Sequence, residues 1–80
     1  MSESHFHRVF KNEIGISPID FINNERIKLA TRLLANPKIK IKEVYMRCGF
    51  DSRSYFNRMF RKKQQLSPTE YQNQFAQEVA

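Results

Sequence analysis

An all-α fold, two related helical units joined by a long helix, is what this 80-residue sequence predicts. Three observations lead there. Apolar residues recur at helical spacing, and no alternating stretch suggests a strand. Gly, Ser-Pro and Asn-Pro signals divide the chain into five segments of helical length. One stretch is also written twice. Ser4, Phe6, Arg8 and Phe10 return as Ser54, Phe56, Arg58 and Phe60, and Ile16-Ser17-Pro18 returns as Leu66-Ser67-Pro68. Two amphipathic helices share aromatics by chance, but rarely share a Ser-Pro helix start at the same distance. The repeat therefore reads as a duplication.

The elements follow in order. Ser2–Glu13 has the apolar spacing of a helix in Phe6, Val9, Phe10 and Ile14, and Gly15 ends it. Ser17 caps the second helix, Pro18 suits its first position and Asp20 favours its positive end. Phe21, Ile22, Ile27, Ala30, Leu33 and Leu34 supply its apolar stripe, with Arg26, Lys28 and Arg32 outside it. It runs to about Ala35, roughly 27 Å of helix, and Asn36-Pro37 stops it. Lys38–Lys40 is a short polar connection. Ile41–Cys48 forms the third helix, with Ile41, Val44, Tyr45 and Cys48 on one side. Gly49 breaks it and Phe50 plugs the core. Asp51 or Ser52 caps the fourth helix, which runs to about Lys63. Leu66 anchors the next connection. Ser67-Pro68-Thr69-Glu70 is a capping box, and the last helix carries Tyr71 and Phe75 and frays after Gln77.

The formal charge of +6 is unevenly placed. Residues 38–63 hold nine basic residues against Glu43 and Asp51, a local charge of +7. Such a segment calls for a polyanionic partner, a nucleic acid or an acidic membrane face. No apolar run approaches the ~20 residues that span a bilayer, and of the two partners nucleic acid, not a membrane, is the one expected. Met1–Lys11 lacks the apolar core of a signal peptide. The single cysteine, Cys48, excludes an internal disulfide, fits a reducing cytoplasm and reads as a small buried residue. His5 and His7 lie ~200° apart on a helix and cannot share a metal. No phosphate loop, nucleophile-base pair or metal-ligand set is present. Neither enzymatic activity, a cofactor nor a small-molecule site is expected.

Ile41–Lys63 has helix-turn-helix proportions: a short helix, a Gly turn, then a longer basic helix. At ~100° per residue, Phe56, Met59 and Phe60 gather on one face of that second helix. Ser54, Asn57, Arg58 and Arg61 gather opposite. The first copy divides alike, with Phe6, Val9 and Phe10 against Ser4, His7, Arg8 and Lys11. This division suits major-groove reading of double-stranded DNA. Arg pairs with guanine O6 and N7, and Asn pairs with adenine N6 and N7. Arg61, Lys62 and Lys63 neutralise phosphates, and Ser52 donates to one at the helix start. The long helix between the copies separates them by about one DNA turn, ~34 Å, so one chain can meet successive major grooves. The rival reading is a helical interaction module, self-associating through Phe6, Val9 and Phe10.

The residues that carry these readings resemble the AraC/XylS family of bacterial transcription regulators. The motif is Ile41, Glu43 and Val44, Gly49-Phe50, Ser54-Tyr55-Phe56, Arg58, Phe60-Arg61-Lys62, Ser67-Pro68 and Tyr71. Ser4, Phe6, Arg8, Phe10-Lys11 and Gly15 resemble the family's first unit. The resemblance implies tandem helix-turn-helix (homeodomain-like) units joined by a long linker helix. Residues 1–17 then form an incomplete first unit, 18–36 the linker helix, and 37–80 the complete second unit with its C-terminal helix. It implies recognition helices at Ser2–Lys11 and Ser52–Lys63. Base-facing positions are Ser4, His5, His7 and Arg8 in the first and Arg53, Ser54, Asn57 and Arg58 in the second. It implies a cytoplasmic, nucleoid-associated regulator whose sensory domain lies elsewhere. The helices that precede the family's first recognition helix are missing, which leads us to expect a fragment of a longer protein. Tyr45 stands where the family usually has a small residue. Gln65 replaces the usual Gly after the second recognition helix, at a strain of about 1 kcal/mol if it keeps positive φ.

Overall fold

The computed structural model describes residues 3–79, with side chains described for residues 5–75. Five α-helices follow one another: α1 (Glu3–Ile14), α2 (Pro18–Leu34), α3 (Ile41–Arg47), α4 (Arg53–Gln64) and α5 (Pro68–Val79). The fold is all-α, as the spacing predicts. Ser2, the expected start of the first helix, lies outside the described residues. The last helix continues to Val79, beyond the fraying point expected at Gln77.

The helix starts are set by local chemistry. Ser17 Oγ accepts from Asp20 N at 3.2 Å, and Ser52 Oγ from Tyr55 N at 3.1 Å. Each satisfies an N–H that the helix itself leaves unpaired. Ser67 and Glu70 close the full capping box, the Glu70 carboxylate accepting from Ser67 N and Ser67 Oγ from Glu70 N. Those Ser67 hydrogen bonds hold the Glu70 carboxyl below its ordinary range.

The duplication is written in the backbone as well. Gly15 and Gln65 hold equivalent places, and both have positive φ, 94° and 64°. Gly15 N donates to Lys11 O at 2.7 Å, and Gln65 N to Arg61 O at 2.8 Å. In the next helix Phe21 N donates to Ser17 O as Tyr71 N donates to Ser67 O, both at 2.9 Å. Glycine reaches the left-handed region without cost, whereas Gln65 carries a Cβ there. Gln65→Gly is therefore expected to stabilise the domain by roughly 0.5–1 kcal/mol, the relief of strain less the added freedom of the unfolded chain. Urea unfolding reads this, and no gain would mean that the turn absorbs the Cβ.

The core lies between α2 and the second unit. Ile27, Ala30 and Leu34 of α2 are buried against Val44, Cys48, Phe50, Phe56 and Phe60. Leu33, Ile39, Ile41, Tyr45, Tyr55, Met59 and Tyr71 close around them. The α2 stripe differs from the expected one. Its buried register is Asn23, Ile27, Ala30 and Leu34, four positions that fall within ~60° on the helix. By helical rotation Phe21 falls on the other side, in line with Lys28 and Arg32, and it is 40% exposed. Its ring meets Phe10 of α1 at 5.8 Å. Ile22 is also exposed, while Arg26, expected outside, is half-buried. The buried register faces α3 and α4, and position 21 falls outside that arc.

α1 rests on α2 through this Phe10–Phe21 contact, leaving Phe6 and Val9 exposed at 49% and 43%. The molecule is elongated, 50 × 22 × 16 Å, with a radius of gyration of 14.7 Å. A compact chain of this length has about 12 Å.

Cys48 is buried at the end of α3. Burial pushes its thiol up to about 11, and the nearby Arg26 guanidinium pulls back against that shift. Thiolate, the reactive form, is scarce at neutral pH. Native protein is thus expected to react with a maleimide far more slowly at pH 7.5 than protein in urea. Equal rates would place the thiol at the surface.

Candidate nucleic-acid interface

α3 and α4 meet at Gly49. Gly49 N donates to Met46 O and Phe50 N to Tyr45 O, closing a tight turn at φ 89°. The positive φ is what the turn asks of glycine; a Cβ at position 49 would meet only the flexible end of Arg26, its Nε at 3.3 Å. Phe50 then drops into the core, its ring 5.2 Å from Phe56 and 5.9 Å from Tyr55. Tyr45, where a small residue was expected, stays half-buried with its ring 6.0 Å from Phe56. The bulk is accommodated at the core's edge.

The faces of α4 divide as its sequence requires. Phe56 and Phe60 are fully buried and Met59 is half-buried. Arg53, Ser54, Asn57, Arg58, Arg61 and Lys62 are all exposed, as is Ser52 at the cap. By helical rotation Asn57, Arg61, Ser54 and Arg58 fall within ~100° of one another, while Arg53 and Lys62 flank them on either side. Lys63 is the exception. It falls near the angular position of Phe56 and Met59, is half-buried, and lines a groove of about 330 Å³ with Phe21, Asn24, Lys28 and Gln64. Its stem therefore runs along α2 rather than out with Arg61 and Lys62.

Ion pairs among the described residues join Lys28 to Glu25 at 3.3 Å and Arg47 to Glu43 at 2.7 Å. Neither of these pairs includes a residue of α4, although Glu25 and Lys28 border the groove beside Lys63, and Arg61 lies close enough to Glu70 to help hold that carboxyl down. Arg58 is pre-ordered in another way. Its guanidinium lies 5.4 Å from the centre of the Tyr55 ring, a cation–π contact within one helical turn.

In the first copy, His5, Arg8 and Lys11 are exposed on α1. His7 is half-buried, its ring edge-on to Phe6 at 6.0 Å. Ser4 sits on α1, its side chain outside those described.

Three supporting residues escaped the sequence reading. Asn23 Nδ2 donates to Tyr55 Oη at 2.9 Å. Arg26 lies over Phe50 at 5.7 Å. Gln72 of α5 donates to the Asn36 and Ile39 carbonyls at 3.0 and 2.8 Å, holding the α2–α3 connection. The signal for Asn23 was its register, four residues before Ile27 on the buried arc. Among the described residues no group of His, Cys, Asp and Glu is placed to hold a metal, and no helix is long and apolar enough to cross a membrane.

Comparison with known proteins agrees with this architecture. The helix-turn-helix domain family matches residues 1–74. The probable transcriptional regulator LumQ of Photobacterium leiognathi is 36% identical over 72 residues, which cover 90% of this chain and 29% of LumQ. The transcriptional regulator MtrA of Neisseria gonorrhoeae is 31% identical, covering 96% of this chain and 26% of MtrA. The arabinose operon regulatory protein of Escherichia coli is 34% identical, covering 89% of this chain and 24% of that protein. The chain thus spans about a quarter of the length of these relatives. No solved structure matches. With a family match over nearly its whole length, and a duplicated helix-turn unit carried in its fold, the chain belongs to the AraC/XylS-type helix-turn-helix family of bacterial transcription regulators.

Proposed function

We propose that this domain binds double-stranded DNA sequence-specifically, as part of a cytoplasmic regulator, with α4 laid in a major groove. Residues 37–80 form the principal reading unit, 18–36 the linker helix and 1–17 the first unit. The observation that carries this reading is the division of α4: two phenylalanines fully buried, and six polar or cationic side chains exposed on the rest of the helix. Arg53, Ser54, Asn57 and Arg58 face base edges, where Arg and Asn have the hydrogen-bonding forks that discriminate pairs. Ser52, Arg61, Lys62 and Lys63 meet the backbone, fixing register without reading sequence. Lys63 reaches it by extending from the α2 groove. On α1, Ser4, His5, His7 and Arg8 face a neighbouring groove, with Lys11 toward phosphate. A long axis of 50 Å accommodates two such helices about 34 Å apart.

Selection of duplexes from a random pool, followed by salt titration, tests this. A defined sequence should emerge, and log affinity should fall with log salt at a slope of about −4, one for each of the four cations assigned to phosphates. Enrichment of no sequence, or tighter binding to single-stranded RNA than to duplex DNA, would contradict it.

A second reading rests on the exposure of Phe6 and Val9 beside Phe10. Uncovered apolar surface of this kind favours self-association. A monomer in light scattering at high protein concentration removes it.

A further inference from the structure

Asn23 is a polar side chain in an apolar register. It is 4% exposed and continues the line of Ile27, Ala30 and Leu34 on the core side of α2. A buried amide destabilises unless it is hydrogen-bonded, and a fully satisfied one fixes the geometry around it. Asn23 is satisfied across 32 residues of sequence, through Nδ2 to Tyr55 Oη at 2.9 Å, with Met59 Sδ at 3.7 Å. Both contacts land on α4.

Tyr55 is the joint between core and surface. It is half-buried on the flank of α4. Its hydroxyl is held by Asn23, its ring is flanked by Phe50 at 5.9 Å, and the Arg58 guanidinium lies over it at 5.4 Å. Arg26, one turn beyond Asn23 on α2, covers Phe50 in turn. The linker helix therefore grips both the turn before α4 and the aromatic shelf on it. An arginine on a bare helix face has four rotatable bonds to order before its fork meets a base. A shelf that orders them beforehand improves discrimination, because less freedom is lost on binding.

We propose that Asn23 is a positioning residue for sequence selectivity. Its hydrogen bond to Tyr55 fixes the ring on which Arg58 lies, so the linker helix sets the direction in which α4 presents that arginine. This rests on the reading of the exposed α4 face as the surface that meets bases.

The paired variant Asn23→Leu with Tyr55→Phe removes the hydrogen bond and keeps both the volume and the ring. Replacing both partners with apolar groups of similar shape leaves little stability penalty. Tyr55→Phe alone serves if the pair does not fold. Two measurements are made on each. Without DNA, the Arg58 Hδ and Hε resonances should be shifted upfield by the ring in the parent domain, and the shift should shrink in the variant. With DNA, binding is compared between the selected duplex and the same duplex with the Arg58-facing base pair exchanged. Discrimination should fall on the order of fivefold, and the same variant in an Arg58→Ala background should change it less than twofold. A ring shift that survives loss of the hydrogen bond overturns the positioning role. So does an equal loss in the Arg58→Ala background, which would make Asn23 a core residue only. If Arg58→Ala by itself leaves discrimination intact, base reading by Arg58 is what fails, and the proposal falls with it.

Discussion

Phe56→Ala is expected to destabilise the domain by about 3–5 kcal/mol, the range for removing a fully buried aromatic ring. Phe56 has no exposed surface, and its ring sits among Tyr45, Phe50 and Phe60 at 5.2–6.0 Å. Truncation leaves a cavity that three aromatic neighbours cannot all collapse into, so the cavity cost adds to the lost burial. A chain of this size has a total stability of about 4–12 kcal/mol. The substitution therefore removes much or all of it, and DNA binding disappears with the fold. The equivalent change in the first copy, Phe6→Ala, should cost roughly 0.5 kcal/mol or less, because Phe6 is half exposed. Thermal unfolding by circular dichroism separates the two. Equal losses would mean that the copies are equally packed, against the asymmetry of the core.

Arg58→Ala carries the largest expected effect on recognition without touching the fold. It should weaken binding to the selected duplex by about 1–3 kcal/mol and leave binding to a scrambled duplex nearly unchanged. The side chain is exposed and contributes to no described ion pair. Its removal forfeits only a surface cation–π contact of about 0.5–1 kcal/mol within the protein. Lys62→Ala, on the same face, should weaken both duplexes alike and reduce the salt slope by about 1. Arg58→Lys should not rescue selectivity, since a point charge lacks the fork that pairs with guanine and lies less well on Tyr55. Equal loss on both duplexes for Arg58→Ala would reassign that residue to phosphate.

Much of this fold was legible because its signals are local. The Ser17, Ser52 and Ser67 caps, the Gly15 and Gly49 breaks and the buried phenylalanines of α4 each follow from residue type and spacing within one or two helical turns. Positive φ at Gln65 was raised only by the family resemblance, which usually has Gly there; its register with Gly15 emerged from the structure. The supports of the site were less accessible. Phe21 looks apolar and was assigned to the stripe, but only the packing partner of α2 decides which arc is buried. Asn23 and Arg26 look like surface residues, yet Asn23 is buried and Arg26 half-buried, since their partners Tyr55 and Phe50 are distant in sequence. Lys63 belongs to the run Arg61-Lys62-Lys63 by composition, yet helical rotation turns it toward α2. Such pairings depend on how helices dock, which residue spacing within a single helix does not encode.

The central claim is that α4 lies in a major groove and reads base edges there. Interference by methylation at guanine N7, which projects only into the major groove, tests it most directly on the selected duplex. Methylation within one window should block binding by the parent domain, and Arg58→Ala should lose sensitivity at one guanine in that window while keeping it at others. Binding indifferent to N7 methylation at every position would contradict the account.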